Sequence, residues 1–213
     1  MRYDFHTHTK YSHDGFIEPY QLVKAAKRRG LSGIAVTDHN TIKGALKVKK
    51  YDNSDFKVIC GSEISTERGE VIGLFLNDQI ESHLFEEVVE EIRDQGGMVI
   101  IPHPFDGIRK NGIYPDKSDI KFIDAVEVFN SRCLSQKYND QANRFAKENE
   151  LGIVAGSDAH FAREVGNAGV IIKEEDIRKV ITRGNVEIFG EKSSLLNLGL
   201  TKVLKIWRKT RSG

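Results

Sequence analysis

His6 and His8 stand two residues apart, and so do Asp158 and His160. Side chains at i and i+2 of an extended strand face the same way, so each pair can present two ligands to one side. Asp14, His39, Glu63 and His103 add further imidazole and carboxylate groups. That mixture suits Zn, Mn or Fe rather than Ca. Its size exceeds what one tetrahedral ion needs, so two or three divalent ions are expected. Clustered divalent ions make hydroxide available near neutral pH and neutralise charge on a phosphoryl group during in-line displacement. With no other obvious nucleophile, such a set points to hydrolysis, most naturally of a phosphate ester.

These residues gather only if the elements carrying them share one rim. Apolar runs alternate with amphipathic stretches. Strands are expected at RYDFHTH, GIAVTDH, KVICGSEIS, EVIGLFL, MVIIPHP, DAVEVFN, GIVAGSDAH, AGVIIK and VEIFG. Helices are expected from Pro19 to Arg29, from Lys43 to Lys50, after a Ser82 cap, from Ser135 to Asn149, from Glu174 to Arg183 and from Ser193 onward. This alternation argues an α/β fold with a mainly parallel sheet. In such sheets the strand carboxyl ends point to one side. His6, His8, His39, Glu63, His103, Asn130, Arg132, Asp158 and His160 all follow or end a strand, and Asp14 lies in the next turn. The long irregular stretch 106–119 is placed to cover a site. One domain spanning 1–213 is the simplest reading, with a last helix at about 193–209.

The bulk composition excludes several classes. Net charge is +1, so no global field draws the chain to nucleic acid or a membrane. No apolar run approaches a membrane span. The start reads as a strand rather than a leader peptide. Two cysteines, Cys60 and Cys133, are too few for a disulfide framework and fit free thiols in a cytoplasmic protein.

Five stretches in order, DFHTHTKYSHDG, AVTDHNT, GSE, IPHP and GSDAH, resemble the motifs of the PHP family, named for polymerase and histidinol phosphatase. The resemblance covers most of the chain. It implies a distorted, TIM-like, seven-stranded β/α barrel with a di- or trinuclear metal site and phosphoesterase chemistry. By position, His6, His8, Glu63 and Asp158 would hold one metal. Glu63 would bridge to a second, shared with His103, and Asp14, His39 and His160 would hold a third. Many relatives have a histidine where Asn130 stands, which leaves water to complete the shell of the second ion. His6, His8, Glu63, Asp158 and His160 are expected to carry catalysis.

Other residues have weaker claims. Asp38 is read as orienting a ligand from behind, His13 as solvent-facing and His83 as helical. Arg132, Asn130 and Arg163 are candidates for the substrate. Arg109 and Lys110 default to a solvated loop. In the last helix, Leu196, Leu200, Val203, Leu204 and Trp207 form an apolar stripe expected to pack on the barrel. Lys202, Lys205, Arg208, Lys209 and Arg211 make its end basic, as suits a helix dipole. The expected activity is a metal-dependent phosphoesterase acting on small, nucleotide-like phosphomonoesters. The alternatives are an exonuclease guided by the basic helix and a non-catalytic, metal-stabilised domain.

Overall fold

The computed structural model describes residues 1–109 and 111–211; of Lys202, residues 205–209 and Arg211 only the backbone is described. Lys110 and the stripe and charge readings on those α6 side chains lie outside the described residues. In chain order the elements are β1 (Arg2–Asp4), α1 (Pro19–Arg28), β2 (Gly33–Val36), α2 (Lys43–Lys49), β3 (Lys57–Thr66), β4 (Gly69–Leu74) and α3 (Phe85–Asp94). They continue with β5 (Met98–Ile101), β6 (Ala125–Asn130), α4 (Gln136–Glu148), β7 (Gly152–Gly156), β8 (Ala168–Ile171), α5 (Ile177–Thr182), β9 (Glu187–Gly190) and α6 (Leu195–Arg211).

The sheet has nine strands, in the order β7-β6-β5-β4-β3-β2-β1-β8-β9, and not the seven expected. It bends into an almost closed ring. The segment after β1 meets the end of β7: Phe5 N donates to Ala155 O at 3.2 Å and Asp158 N to His6 O at 2.8 Å. Thr7 and Ala159 add a parallel bridge. β8 and β9 are an antiparallel extension on the outer edge of β1.

The expected mainly parallel sheet is corrected as well. β1–β2, β2–β3, β5–β6 and β6–β7 are parallel, but β3–β4 and β4–β5 are antiparallel. The reason is local. Glu67 and Arg68 alone separate β3 from β4. So short a link makes a hairpin, whereas a parallel crossover needs a dozen residues or more. Gly69, at φ 128°, adopts a backbone conformation open to glycine there.

Two apolar layers follow from strand alternation. Ile34 and Val36 of β2 pack outward with Leu22 and Ala26 of α1. Ala35, Ile59, Ile72, Ile100 and Val154 face inward with Val180 and Ile181 of α5. Along β3 the inward face runs from Ile59 to Glu63, along β4 from Ile72 to Glu70, and along β6 from Ala125 to Glu127. The interior is therefore apolar at one end and carboxylate-lined at the other.

Helix α3 starts at Phe85, with Leu84 rather than Ser82 at its cap. Glu67, from the β3–β4 turn, accepts from Phe85 N at 2.8 Å, and Ser82 Oγ accepts from Leu84 N. Helix α6 departs most from expectation. Leu196 is 82% exposed and Val203 62%, while Asn197 and Thr201 are buried against the barrel. Asn197 and Thr201, rather than Leu196 and Val203, face inward.

Candidate metal centre

All eight residues singled out as ligands meet at the carboxylate-lined end. His6 and His8 lie just past β1, His39 past β2, and Glu63 within β3. His103 follows β5, and Asp158 and His160 follow β7. Their donor atoms fall in overlapping groups: His8, Asp14, His39 and His160; His6, His8 and Asp158; His6, Glu63 and His103; His39, Glu63 and Glu70.

The imidazoles are oriented from behind. His6 Nδ1 lies 3.0 Å from Glu127 Oε1, His8 Nδ1 3.2 Å from Ser12 Oγ, and His160 Nδ1 2.8 Å from the carbonyl of Asp158. Each outer contact leaves Nε2 turned inward, the arrangement usual for metal-ligating histidine. His6 Nε2 and His8 Nε2 then face one another at 3.1 Å. Glu63 Oε2 is 3.3 Å from the first and 3.4 Å from the second, and Asp158 Oδ1 is 3.2 Å from His8 Nε2. His160 Nε2 and His39 Nε2 approach Asp14 Oδ2 at 3.2 and 3.5 Å, and His103 Nε2 approaches Glu63 Oε1 at 2.9 Å.

Two lone pairs aimed at each other repel unless a proton or a cation lies between them. The buried Nδ1 atoms of His39 and His103 have no hydrogen bond. His39 Nδ1 points at Glu63 Oε2 from 3.2 Å. The residues present therefore fit divalent cations.

Electrostatics agree. Burial disfavours charge on Asp14, Glu63 and Asp158, yet their neighbours keep these three carboxylates ionised, whereas burial and the nearby Glu63 raise Glu70. His6 and His39 hold Glu63 well below the usual range, and Arg109 and His6 do the same for Asp158. Burial and the neighbouring His160 push His8 down to about 3, so it is a neutral donor. Against its own burial, Glu63 and Asp14 raise His39 to about 9. Two ligands sit on strained backbone, His103 at φ 30° and Asp158 at φ 54°. Left-handed non-glycine residues cluster at functional sites.

The PHP domain family model matches residues 4–197. The chain belongs to the PHP domain family. An uncharacterised protein of Methanocaldococcus jannaschii is 43% identical over 143 residues, which are 62% of this chain and 82% of that protein. A 5'-3' exoribonuclease of Haemophilus influenzae is 31% identical over 122 residues, 51% of this chain and 44% of that enzyme. Among solved structures, one of a two-domain protein from Bacteroides vulgatus, described as containing a predicted PHP-like metal-dependent phosphoesterase, superposes with a TM-score of 0.74. It is 20% identical, and the match spans 90% of this chain and 65% of that one. At that identity the likeness shows the fold.

Beside the imidazole and carboxylate cluster of this PHP domain opens a cavity of about 470 Å³. Asp14, His39, Glu70, Asp158 and His160 form its floor, and Asp106, Ile108, Arg109 and Asn111 one wall. The stretch 106–119 thus does border the site.

Arg109 is the main surprise on that stretch. It is half-buried rather than free in solvent: Nη2 donates to Asp158 Oδ2 at 2.6 Å and to Asn130 Oδ1 at 3.3 Å. Asn130 Nδ2 in turn donates to Glu127 and Asp158. Arg132 lines the cavity, yet its guanidinium is turned to α6, where Nη2 donates to Thr201 Oγ1 at 2.7 Å. Arg163 is exposed, stacks over Phe161 and is not among the residues lining the cavity.

Asp38 orients no imidazole. Its carboxylate accepts from Thr9 N and Thr9 Oγ1, both at 2.6 Å, and so fixes the chain beside His8. His13 is half exposed, and His83 precedes α3 with its ring on the carbonyl of Ser65. Both cysteines are buried free thiols.

Sequence reasoning missed Glu70 and Glu127. β4 runs antiparallel, so its amino end lies at the rim that its neighbours reach with their carboxyl ends. Glu70 is paired with Ser65, two residues beyond Glu63, and is buried. A rule that looks only after strands passes over it. Glu127 sits inside the apolar run AVEVF; a lone buried carboxylate there was the available signal.

Proposed function

We propose that this PHP-domain protein hydrolyses small phosphate monoesters, nucleotide-like compounds included, with two or three divalent ions. The observation that carries this reading is the convergence of eight imidazole and carboxylate side chains beside a cavity lined by Arg109 and Arg132. His6, His8, Glu63 and Asp158 would hold one ion, Glu63 and His103 a second, and Asp14, His39 and His160 a third. Glu70, whose Oε2 lies 3.7 Å from His103 Nε2, would complete the shell of the second ion, which offsets the weak donor Asn130. Zn, Mn or Fe would, when bound, activate water and neutralise phosphoryl charge.

The chain's own residues supply the rest. Arg109 offers a planar fork to the ester phosphate. Asn130 keeps that fork over Asp158. His160, which lines the cavity, would help protonate the leaving oxygen. Ile108 and Leu134 give the organic part of the ester an apolar surface.

A panel of phosphate esters, assayed with metal content measured on the same sample, tests this reading. Phosphomonoester turnover is expected, and His8→Ala or Asp158→Ala should abolish it while circular dichroism stays unchanged. Undiminished turnover of either variant in metal-replete buffer would reject the assignment.

The likeness to the exoribonuclease favours a second reading, shortening of oligonucleotides. Affinity resting on several phosphate contacts falls steeply with salt. Hydrolysis of mononucleotides without any shortening of oligonucleotides would remove it.

A further inference from the structure

We propose that Arg132 is a positioning residue that fastens α6 over the cavity as a wall for the substrate's organic part. This rests on the phosphoesterase reading for its kinetic consequence but not for its structural one.

No apolar side chain described on α6 is fully buried. Leu195 and Leu196 are 72% and 82% exposed, and Asn197 and Thr201 are the residues of the helix that are buried among those described. Arg132 is what they meet. Its Nη2 donates to Thr201 Oγ1 at 2.7 Å and to Asn197 O at 3.5 Å. Its Nε lies 3.9 Å from Glu164 Oε1, an atom that has no hydrogen bond of its own. The other oxygen, Glu164 Oε2, accepts from the backbone of His160 and Phe161, each at 3.1 Å. On the β6 side, Arg132 N donates to Asn130 Oδ1 at 2.8 Å.

One buried guanidinium therefore links α6, the turn that carries His160, and the end of β6. Its Nη2 and Nε face protein groups, which leaves Nη1 alone for a phosphate. Leu198 and Thr201 of α6 line the cavity, as do residues of the 106–119 stretch. Without the guanidinium, the described residues on the helix's inner face keep no comparable anchor, and that wall loosens. The cost falls on the part of the ester that touches the wall, not on the phosphate.

The test uses full-length, metal-loaded Arg132→Met and Thr201→Val, the second conservative enough to keep the barrel folded. Hydrogen exchange of residues 195–204 should accelerate about tenfold in both, the effect of losing a hydrogen bond to a charged group. Exchange in β1–β7 should not change. With an aryl phosphate as substrate, KM should rise about tenfold and kcat stay within about twofold, since the lost contact binds ground and transition states alike. Inhibition by inorganic phosphate should keep its constant.

A phosphate inhibition constant that rose in step with KM would overturn the proposal and give Arg132 to the phosphate. Unchanged exchange in α6 would overturn it too. If no ester is hydrolysed at all, the function proposed above fails, and the exchange measurement still decides the role of Arg132.

Discussion

His39 keeps its proton to about pH 9 in the metal-free protein, because Glu63 and Asp14 outweigh the cost of burying its charge. Its ordinary value is 6.5, so the folded state binds this proton more tightly than the unfolded chain does. The stabilisation is complete below pH 6.5 and is lost as pH rises through about 9. A cation entering the cluster must displace that proton. Metal uptake near pH 7.5 should therefore release protons, and apparent affinity should climb with pH until about 9. Calorimetry in buffers of different ionisation enthalpy counts the protons; zero release would contradict the assignment of His39 as a ligand. Glu127 acts through His6, whose ring it orients. Glu127→Ala should weaken metal binding about 10- to 100-fold, the usual cost of removing a group that orients a ligand, as read by competition with a chromophoric chelator. Arg109→Ala should lower kcat/KM about a hundredfold, comparable to the loss of one donor that stabilises transition-state charge. Histidine pairs were readable from spacing alone. Arg109 was not, because its reach to Asp158 depends on how an irregular loop folds back, and no periodicity encodes that.

At the level of elements, position within a strand decided what could be foreseen. β2, β3, β5, β6 and β7 follow the apolar runs closely, since burial on both faces leaves little freedom in where such a strand starts. Direction was less visible: the tight Glu67–Arg68 turn reverses β4 and brings Glu70 into the site. α6 was misread for a related reason. A leucine stripe normally marks the buried side of a helix, but here Arg132 demands oxygen acceptors, and Leu196, Leu200 and Val203 turn outward. Close approach adds a further constraint. A Cβ at Gly156 would collide with the Cβ of His6. Gly156→Ala should cost about 1–3 kcal/mol and lower metal content by displacing His6, whereas Ile92→Ala in α3 should cost about 2–5 kcal/mol and leave metal content alone. Denaturant melts paired with metal analysis separate the two. Equal metal loss in both variants would show that the site merely reports global stability.

For the molecule as a whole, one end of the ring is apolar and the other is a buried cluster of acids and imidazoles whose converging donor atoms a cation would satisfy. Bound metal should therefore be a large part of its stability. Ions at a hundred times their dissociation constant add about 2.7 kcal/mol, worth roughly 5–10 °C in melting temperature for a chain of this size. Chelation should lower the melting temperature by that order and make it depend on free metal concentration. A melting curve indifferent to chelator would argue that the cluster is empty in solution. No helix among the described residues is long and apolar enough to cross a membrane.

The seam between β1 and β7 joins parts of the chain that are made far apart in time. Asp4, which clasps Ser157 across it, lies 153 positions away in sequence. A ribosome needs roughly 8–30 s to cover that distance. Throughout that interval the cluster around the early histidine pair lacks Asp158 and His160, so any ion it catches is held by an incomplete set of donors. Complete cation loading should then wait until these two residues have emerged and the seam has closed, and scarce metal supply should trap finished but empty protein rather than stall its synthesis.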